Sequence, residues 1–202
     1  MTQWEEQLPP LARERLARIG DLSTEEKERV RELDQLTETL SRYFKHELTT
    51  DELWEGLKRH KEDGKESLLV EAQARLLDSL SLDSTAAELD RRQEAIVGIE
   101  TLKPSPNTSA LESGLNSIRD LLGRYKNEME QAYRKLSDQV ARDPQSRLQK
   151  VNQGGVTQVV ELSVEEAIRL SPEWNRFVTD HRRRYVEEFS RAVERLRLAM
   201  SQ

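Results

Sequence analysis

Two pairs of acidic side chains have a spacing that could support chemistry. The two members of each pair lie three residues apart in the sequence. The pairs are Glu25 with Glu28 and Glu52 with Glu55. Residues separated by three positions are neighbours on a helix surface, so each pair would present two carboxylates on one face. Carboxylate oxygens suit Mg²⁺. These four glutamates are therefore the candidate metal ligands of the chain.

The order of the two pairs resembles that of the all-α nucleotide pyrophosphohydrolases, in which a Glu-x-x-Glu pair precedes a Glu-x-x-Asp pair on a nearby helix. The resemblance implies Mg²⁺-dependent nucleotide hydrolysis on these carboxylates. Here Glu55 stands in place of the final Asp, and no basic cluster for a phosphate accompanies the pairs. Glu25 and Glu28 also fall in the first turn of a predicted helix, where acidic side chains stabilise the helix dipole. We predict no enzyme and keep this hydrolase as an alternative.

Other reactive constellations are missing from the sequence. The chain has no cysteine and three histidines, His46, His60 and His181, none with a glutamate three positions before it. The Glu-x-x-His signature of di-iron bundles is thus absent. There is no phosphate-binding glycine loop and no nucleophile elbow. We expect no cofactor, no cofactor-binding residue and no catalytic residue, and we interpret His181 as a core or boundary residue of its helix.

The densest basic run lies at residues 181–184, in a chain whose net charge is −6. Such a run could meet phosphates on nucleic acid. We instead expect a solvated helix face, in which Arg183 pairs with Glu187 and Arg184 with Glu188 four residues later. The negative net charge and the few aromatic residues also argue against nucleic acid as a partner.

A long series of regularly spaced apolar residues, here called the ladder, predicts the main helix of the chain. Its steps alternate between three and four residues, which is typical of a heptad seam that packs on another helix. It predicts a helix over 109–142, about 50 Å long at ~1.5 Å per residue. The ladder consists of Leu111, Leu115, Ile118, Leu122, Tyr125, Met129, Ala132, Leu136 and Val140.

A second seam follows in the last helix, which Pro172 opens at its first position. Between the seams, Val-rich segments at 148–151 and 156–162 flank Gly154-Gly155 and predict a β-hairpin with a primed turn. Ser163 with Glu166 opens a short helix that ends at Leu170. The second seam consists of Trp174, Val178, His181, Tyr185, Phe189, Ala192, Leu196 and Ala199.

The first hundred residues predict an array of shorter helices. Pro9-Pro10 open one that Gly20 closes, Ser23 or Thr24 caps the next, which ends near Glu47, and Thr49 starts another. Gly64 ends that helix or lies within a longer one, and both alternatives stay open. Further helices are expected at about 65–81 and 85–102. Asp83 or Ser84 is the expected cap of the second.

The segment 103–109 contains two prolines and is the predicted domain boundary. We expect an acidic N-terminal helical array at 1–102, a Pro/Ser linker at 103–109 and a long-helix coiled-coil hairpin at 110–202, with the β-hairpin at about 147–162. The predicted fold is all-α: an elongated helical bundle or antiparallel coiled coil with one small β-hairpin between the last long helices. Whether the two halves pack together is left open.

The predicted function is a non-catalytic scaffold, adaptor or protein-interaction module that self-associates. The expected partner is another protein or a second copy of this chain. The residues at the start of the chain do not resemble a signal peptide, so we expect a cytoplasmic location. The sequence contains no run of 18 apolar residues, so it predicts no membrane-spanning helix. The residues expected at the interaction seam are Leu115, Leu122, Met129, Leu136, Trp174, Tyr185 and Phe189.

The order helix, β-hairpin, helix over 109–201 resembles the architecture of prefoldin subunits. In that family the hairpins assemble a barrel and the coiled coils hold unfolded client proteins. The resemblance covers the C-terminal half and rests on element order, without a shared sequence motif. It implies oligomerisation through 147–162 and a holdase function as an alternative.

Overall fold

The computed structural model describes residues 23–153 and 156–200, with only the backbone described at 151, 153 and 156. Its helices are α1 (Thr24–Phe44), α2 (Thr50–Glu62), α3 (Glu66–Asp78), α4 (Ala86–Glu100), α5 (Thr108–Arg142), α6 (Val164–Leu170) and α7 (Pro172–Met200). A 3₁₀ turn (Pro144–Arg147) leads into β1 (Leu148–Gln153) and β2 (Val156–Glu161). The predicted mostly helical fold with one small hairpin between long helices is confirmed. The predicted helix at Pro9-Pro10 and the Gly154-Gly155 turn lie outside the described residues.

Capping boxes start four of the helices. In each, a Ser or Thr side chain accepts a hydrogen bond from the backbone three residues later, and the glutamate there accepts one from the backbone of the cap. These hydrogen bonds lower the pKa of each glutamate. Three boxes match the predicted starts. The fourth corrects a prediction, because Thr85 with Glu88 caps α4 rather than Asp83 or Ser84.

Gly64 ends the second helix. Its φ of 75° lies in the left-handed region, which glycine adopts without steric cost, and α2 stops at Glu62. Of the two alternatives the sequence left open, the break at Gly64 is the correct one. The chain then turns directly into α3.

The first four helices pack on one another through apolar faces and a few buried polar contacts. The Tyr43 hydroxyl donates to the carbonyl oxygen of Arg91 at 2.8 Å. The Trp54 indole donates to the carbonyl oxygen of Gly98 at 3.0 Å. Buried aromatic side chains usually need such a partner for their polar atom. These two bonds fix α1 and α2 against α4.

The segment after α4 is held by a buried carboxylate. Glu100 is almost fully buried, lies 2.8 Å from the Lys103 ammonium, and accepts hydrogen bonds from the Gln73 amide at 2.9 Å and the Asn107 backbone at 3.0 Å. Burial raises the pKa of Glu100, but these donors outweigh it and hold the pKa below its ordinary value. Lys103 also donates to the carbonyl oxygen of Met200. The chain between α4 and α5 is thereby tied to α3 and to the last residue of α7.

Both sides of the segment 103–109 contribute to one apolar core. Leu36 and Leu57 from the first helices belong to the same buried cluster as Leu115 and Tyr185 from α5 and α7. The two halves therefore pack together. The division of the chain into an N-terminal array, a linker and a C-terminal hairpin of helices stays a prediction.

Candidate interaction surface

Helices α5 and α7 run antiparallel in contact with each other. Leu196 lies against Gly114, and the rings of Tyr125 and Tyr185 have centroids 5.3 Å apart. At the far end, Tyr133 meets Trp174 edge to face at 5.5 Å. Because contacts advance along α5 as they retreat along α7, the two seams form an antiparallel coiled coil.

The predicted seam residues fall into two groups. Leu115, Leu122 and Tyr185 are buried in the core of the chain itself. The others are only partly buried, and they are Met129, Leu136, Trp174 and Phe189. We call 107–126 with 181–200 the proximal part of the helix pair, and 127–142 with 172–180 its distal part. The three buried residues of this predicted set are therefore all proximal.

An aromatic stack begins where the distal part meets the proximal part. His181 is buried, and its ring stacks on Tyr125 at 5.0 Å and on Phe177 at 5.2 Å. Its Nε2 lies 3.2 Å from a carboxylate oxygen of Glu128. Hydrogen bonds from Tyr185, His181 and Arg184 lower the pKa of Glu128. His181 is thus a buried helix residue, as predicted from its place on the seam.

An open groove of about 760 Å³ flanks this stack. Its lining includes apolar Phe177 and Ala132 and charged side chains of both signs, such as Lys135, Arg176 and Asp180. Phe177 was missed in the sequence, although it lies three residues after Trp174 and four before His181, the spacing of one helix face.

The β-hairpin exposes its apolar side chains. The exposed fractions are 44% for Leu148, 59% for Val159 and 43% for Val160. Val159 and Val160 are adjacent in β2, so their side chains point to opposite faces of the sheet. Both faces of the hairpin therefore carry apolar surface exposed to solvent.

The hairpin also has open edges within the described part of the chain, where the sheet contains β1 and β2 alone. The strands pair antiparallel, with Leu148 opposite Glu161 and Gln153 opposite Val156. An open strand edge is a template for another strand. Edge pairing and exposed valines together make the hairpin the candidate interaction surface.

The basic run on α7 is neutralised, but not by the expected partners. Arg182 makes two hydrogen bonds to Asp83, at 2.8 and 3.1 Å, and Arg184 pairs with Glu128 on α5. Arg183 pairs with Asp180 of its own helix. The expected pairs with Glu187 and Glu188 are replaced by these contacts, and the run mainly joins α7 to neighbouring elements.

The four candidate metal ligands lie exposed at the starts of α1 and α2: Glu25, Glu28, Glu52 and Glu55. The Glu52 carboxylate accepts hydrogen bonds from the backbone and hydroxyl of Thr49. In the described residues, no group of three or more His, Asp or Glu side chains is arranged to hold a metal ion. The pairs are therefore not brought together into a metal-binding cluster there.

One comparison with known proteins assigns the chain to a family. Residues 54–198 match DUF6657, described as a family of unknown function, and because this is more than half of the chain, the protein belongs to that family. The match runs from α2 almost to the end of α7 and includes the hairpin. No curated protein and no solved structure matches the chain. Among the described helices, none is long and apolar enough to cross a membrane.

Proposed function

We propose that this protein is a non-catalytic helical scaffold that joins copies of itself through its β-hairpin. The observation that carries the proposal is the exposure of Leu148, Val159 and Val160 on a two-stranded sheet with open edges in the described chain. An isolated two-stranded hairpin is at best marginally stable in water, and either additional strands or packing against a helix stabilises it. A second copy supplies the missing strands.

The difference in burial between the proximal and distal seam residues also favours the hairpin as the surface of association. Leu115, Leu122 and Tyr185 are buried within the chain and have little apolar area left for another molecule. Met129 and Leu136 in the distal part are only partly buried. We therefore expect association to involve the hairpin and the adjoining distal part rather than the proximal seam.

The test is the mass of the protein in solution, measured by size-exclusion chromatography with light scattering over a range of concentrations. The test variant carries Val159→Lys and Val160→Lys. The matched control carries Val30→Lys and Val186→Lys, at positions 41% and 43% exposed on helices α1 and α7. We expect wild type and control to have the mass of an assembly, and the hairpin variant to have the mass of one chain.

A wild-type protein that has the mass of one chain at every concentration would contradict the proposal. So would an assembly that both variants weaken to the same degree, because added charge anywhere on the surface would then explain the loss. Circular dichroism establishes that each variant keeps its helix content before the masses are compared.

A second candidate is a holdase that keeps unfolded proteins from aggregating. The favouring observation is the groove lined by Phe177 and Ala132 on the distal part of two long helices that a hairpin connects. The test is light scattering from a heat-denatured client protein mixed with this chain. Suppression that Phe177→Lys abolishes and Val186→Lys preserves would support this function, and no suppression by wild type would rule it out.

A further inference from the structure

The backbone register of the hairpin determines which groups face outward. The N–H of Leu162 donates to the carbonyl oxygen of Arg147 at 2.8 Å, so this pair is hydrogen-bonded. In an antiparallel ladder, hydrogen-bonded and non-hydrogen-bonded pairs alternate. Starting from the pair Arg147 and Leu162, every second pair up to Gln153 and Val156 is therefore hydrogen-bonded within the hairpin.

The remaining residues of β2 direct their backbone groups away from β1. These are Thr157, Val159 and Glu161. In the described part of the chain, no third strand covers this edge. It offers three N–H and three C=O groups that another strand can pair.

The two outer edges of the hairpin differ in chemistry. Along β1 the outward positions are Leu148, Lys150 and Asn152, with a lysine in the middle. Lysine on an edge strand is a common device against edge-to-edge pairing. β2 contains no lysine or proline and has two adjacent valines, which favour strand structure. The outward positions of β2 carry one charge, Glu161 at the end of the strand, and none in the middle, so the edge of β2 is the less protected of the two.

We propose that β2 pairs antiparallel with β2 of a second copy about a two-fold axis at Val159. This register places Val159 opposite the Val159 of the other copy and Thr157 opposite its Glu161. Of the symmetric registers, it alone pairs all three outward residues of both strands. No like charges meet, and the result is one four-stranded sheet. The proposal rests on self-association as the proposed function and specifies the strand and register that produce it.

A second copy fits this edge because an interface with two-fold symmetry must be self-complementary. The β2 sequence satisfies that condition in the proposed register, since its single charge, Glu161, pairs with Arg147 of its own chain and lies opposite a threonine of the other copy. Symmetric pairing also continues the exposed valine surface on each face from one copy to the next.

The register can be tested by disulfide cross-linking, because the natural chain contains no cysteine. In the proposed sheet the two Val159 Cα atoms are about 5.5 Å apart, within the range of a disulfide. The two Thr157 positions are four residues apart along the strands, roughly 13 Å, which is too far. Under mild oxidation we expect Val159→Cys to form a covalent dimer in most of the protein and Thr157→Cys to form at least tenfold less.

The double variant Thr157→Cys with Glu161→Cys provides the positive counterpart. Its two cysteines are too far apart within one strand to bond to each other, but in the proposed register each faces the other type across the interface. We expect it to cross-link as strongly as Val159→Cys.

Three results would overturn the proposal. A dimer by light scattering that cross-links through Lys150→Cys but not through Val159→Cys would assign the interface to β1 and leave self-association standing. Equal cross-linking at Lys150, Thr157 and Val159 would mean random collision. A wild-type chain that stays monomeric at every concentration would remove self-association itself, and the β2 edge would then need a strand from a different protein.

Discussion

The proximal and distal parts of the α5–α7 pair share one heptad pattern but differ in how much of it is buried. Leu115 in the proximal part is 0% exposed, whereas Leu136, three heptads further along the same helix, is only partly buried. Both are leucines on the same ladder. The difference shows that a heptad identifies the face that packs, while the number of neighbouring elements decides how completely it is covered.

The additional neighbours of the proximal part are the first four helices and their connections. The Lys126 ammonium donates to the carbonyl oxygen of Ser84 at 2.6 Å, and Arg182 binds Asp83. Among the described residues, the hydrogen bonds and ion pairs that join residues 23–103 to the helix pair lie on its proximal part. A third layer of helices therefore covers the seam there, whereas among the described elements α6 and the 3₁₀ turn contact the helix pair near its distal end.

The largest expected effect is the cost of truncating the covered seam. Leu115→Ala should lower the free energy of unfolding by about 3–5 kcal/mol, because it removes buried methyl groups and leaves a cavity. Leu136→Ala, the matched change in the distal part, should cost about 1 kcal/mol because less apolar area leaves water in the native state. Urea denaturation at one fixed protein concentration measures both.

Equal losses for the two variants would contradict the division into proximal and distal parts. A larger loss at Leu136 than at Leu115 would indicate that another copy covers the distal seam in solution. Repeating the Leu136→Ala measurement at low and high protein concentration separates these explanations, since only an intermolecular contact depends on concentration.

The second largest effect concerns Glu100, the buried carboxylate between α4 and α5. Its pKa is lower in the folded state than in the unfolded chain, so its contribution to stability is complete above the ordinary pKa of 4.5 and is lost as the pH falls through the folded value. Glu100→Gln should cost about 1.5–3 kcal/mol at pH 7, the range for hydrogen bonds to a charged group. Denaturation midpoints between pH 7 and pH 3 provide the measurement.

Glu112→Gln is the matched control for that change, because Glu112 is an exposed carboxylate on α5. We expect the Glu100 variant to lose less stability than wild type on acidification, and the Glu112 variant to follow wild type. Parallel pH curves for all three proteins would show that the Glu100 network contributes nothing to acid sensitivity.

The sequence predicted most of the fold because its signals were local. The capping boxes at Ser23, Thr49 and Ser163 each involve residues within one turn of a helix end. Heptad spacing likewise identified the long helices. Local signals of this kind depend on few other parts of the chain.

The wrong predictions concern side chains that bind residues far away in the sequence. Asp83 looked like a helix cap, but Arg182 of α7 binds it, and Thr85 caps α4 instead. Arg184 was expected to pair within its helix and instead reaches Glu128 on α5. The extent to which the distal seam is covered belongs to the same class, because it depends on where the first four helices end. The hairpin's place in the chain was predictable, but the exposure of its valines was not.

A smaller effect, with opposite signs at two sites, should come from glycines on α5. A Cβ at Gly114 would lie 2.9 Å from Cγ of buried Leu196, whereas one at Gly123 would meet nothing within 4 Å. Gly114→Ala should therefore destabilise by about 1–2 kcal/mol through overpacking. Gly123→Ala should stabilise by about 0.5–1 kcal/mol, because alanine is the better helix former. Thermal unfolding of both variants decides the signs, and stabilisation at Gly114 would mean that the two helices are not in close contact there.

The smallest effect is expected at the ion pair that marks the boundary between the proximal and distal parts. A hydrogen bond from Arg182 lowers the pKa of Asp83, but both side chains are at least half exposed. Asp83→Asn should therefore cost about 0.2–1 kcal/mol, and the cost should shrink in high salt, where exposed charges are screened. Urea denaturation at low and high salt measures this, with Asp180→Asn as the control, since Asp180 pairs with Arg183 of the same helix. If Asp83→Asn cost several kcal/mol at both salt concentrations, the contact would be a structural clamp, and the burial of the proximal seam would depend on it.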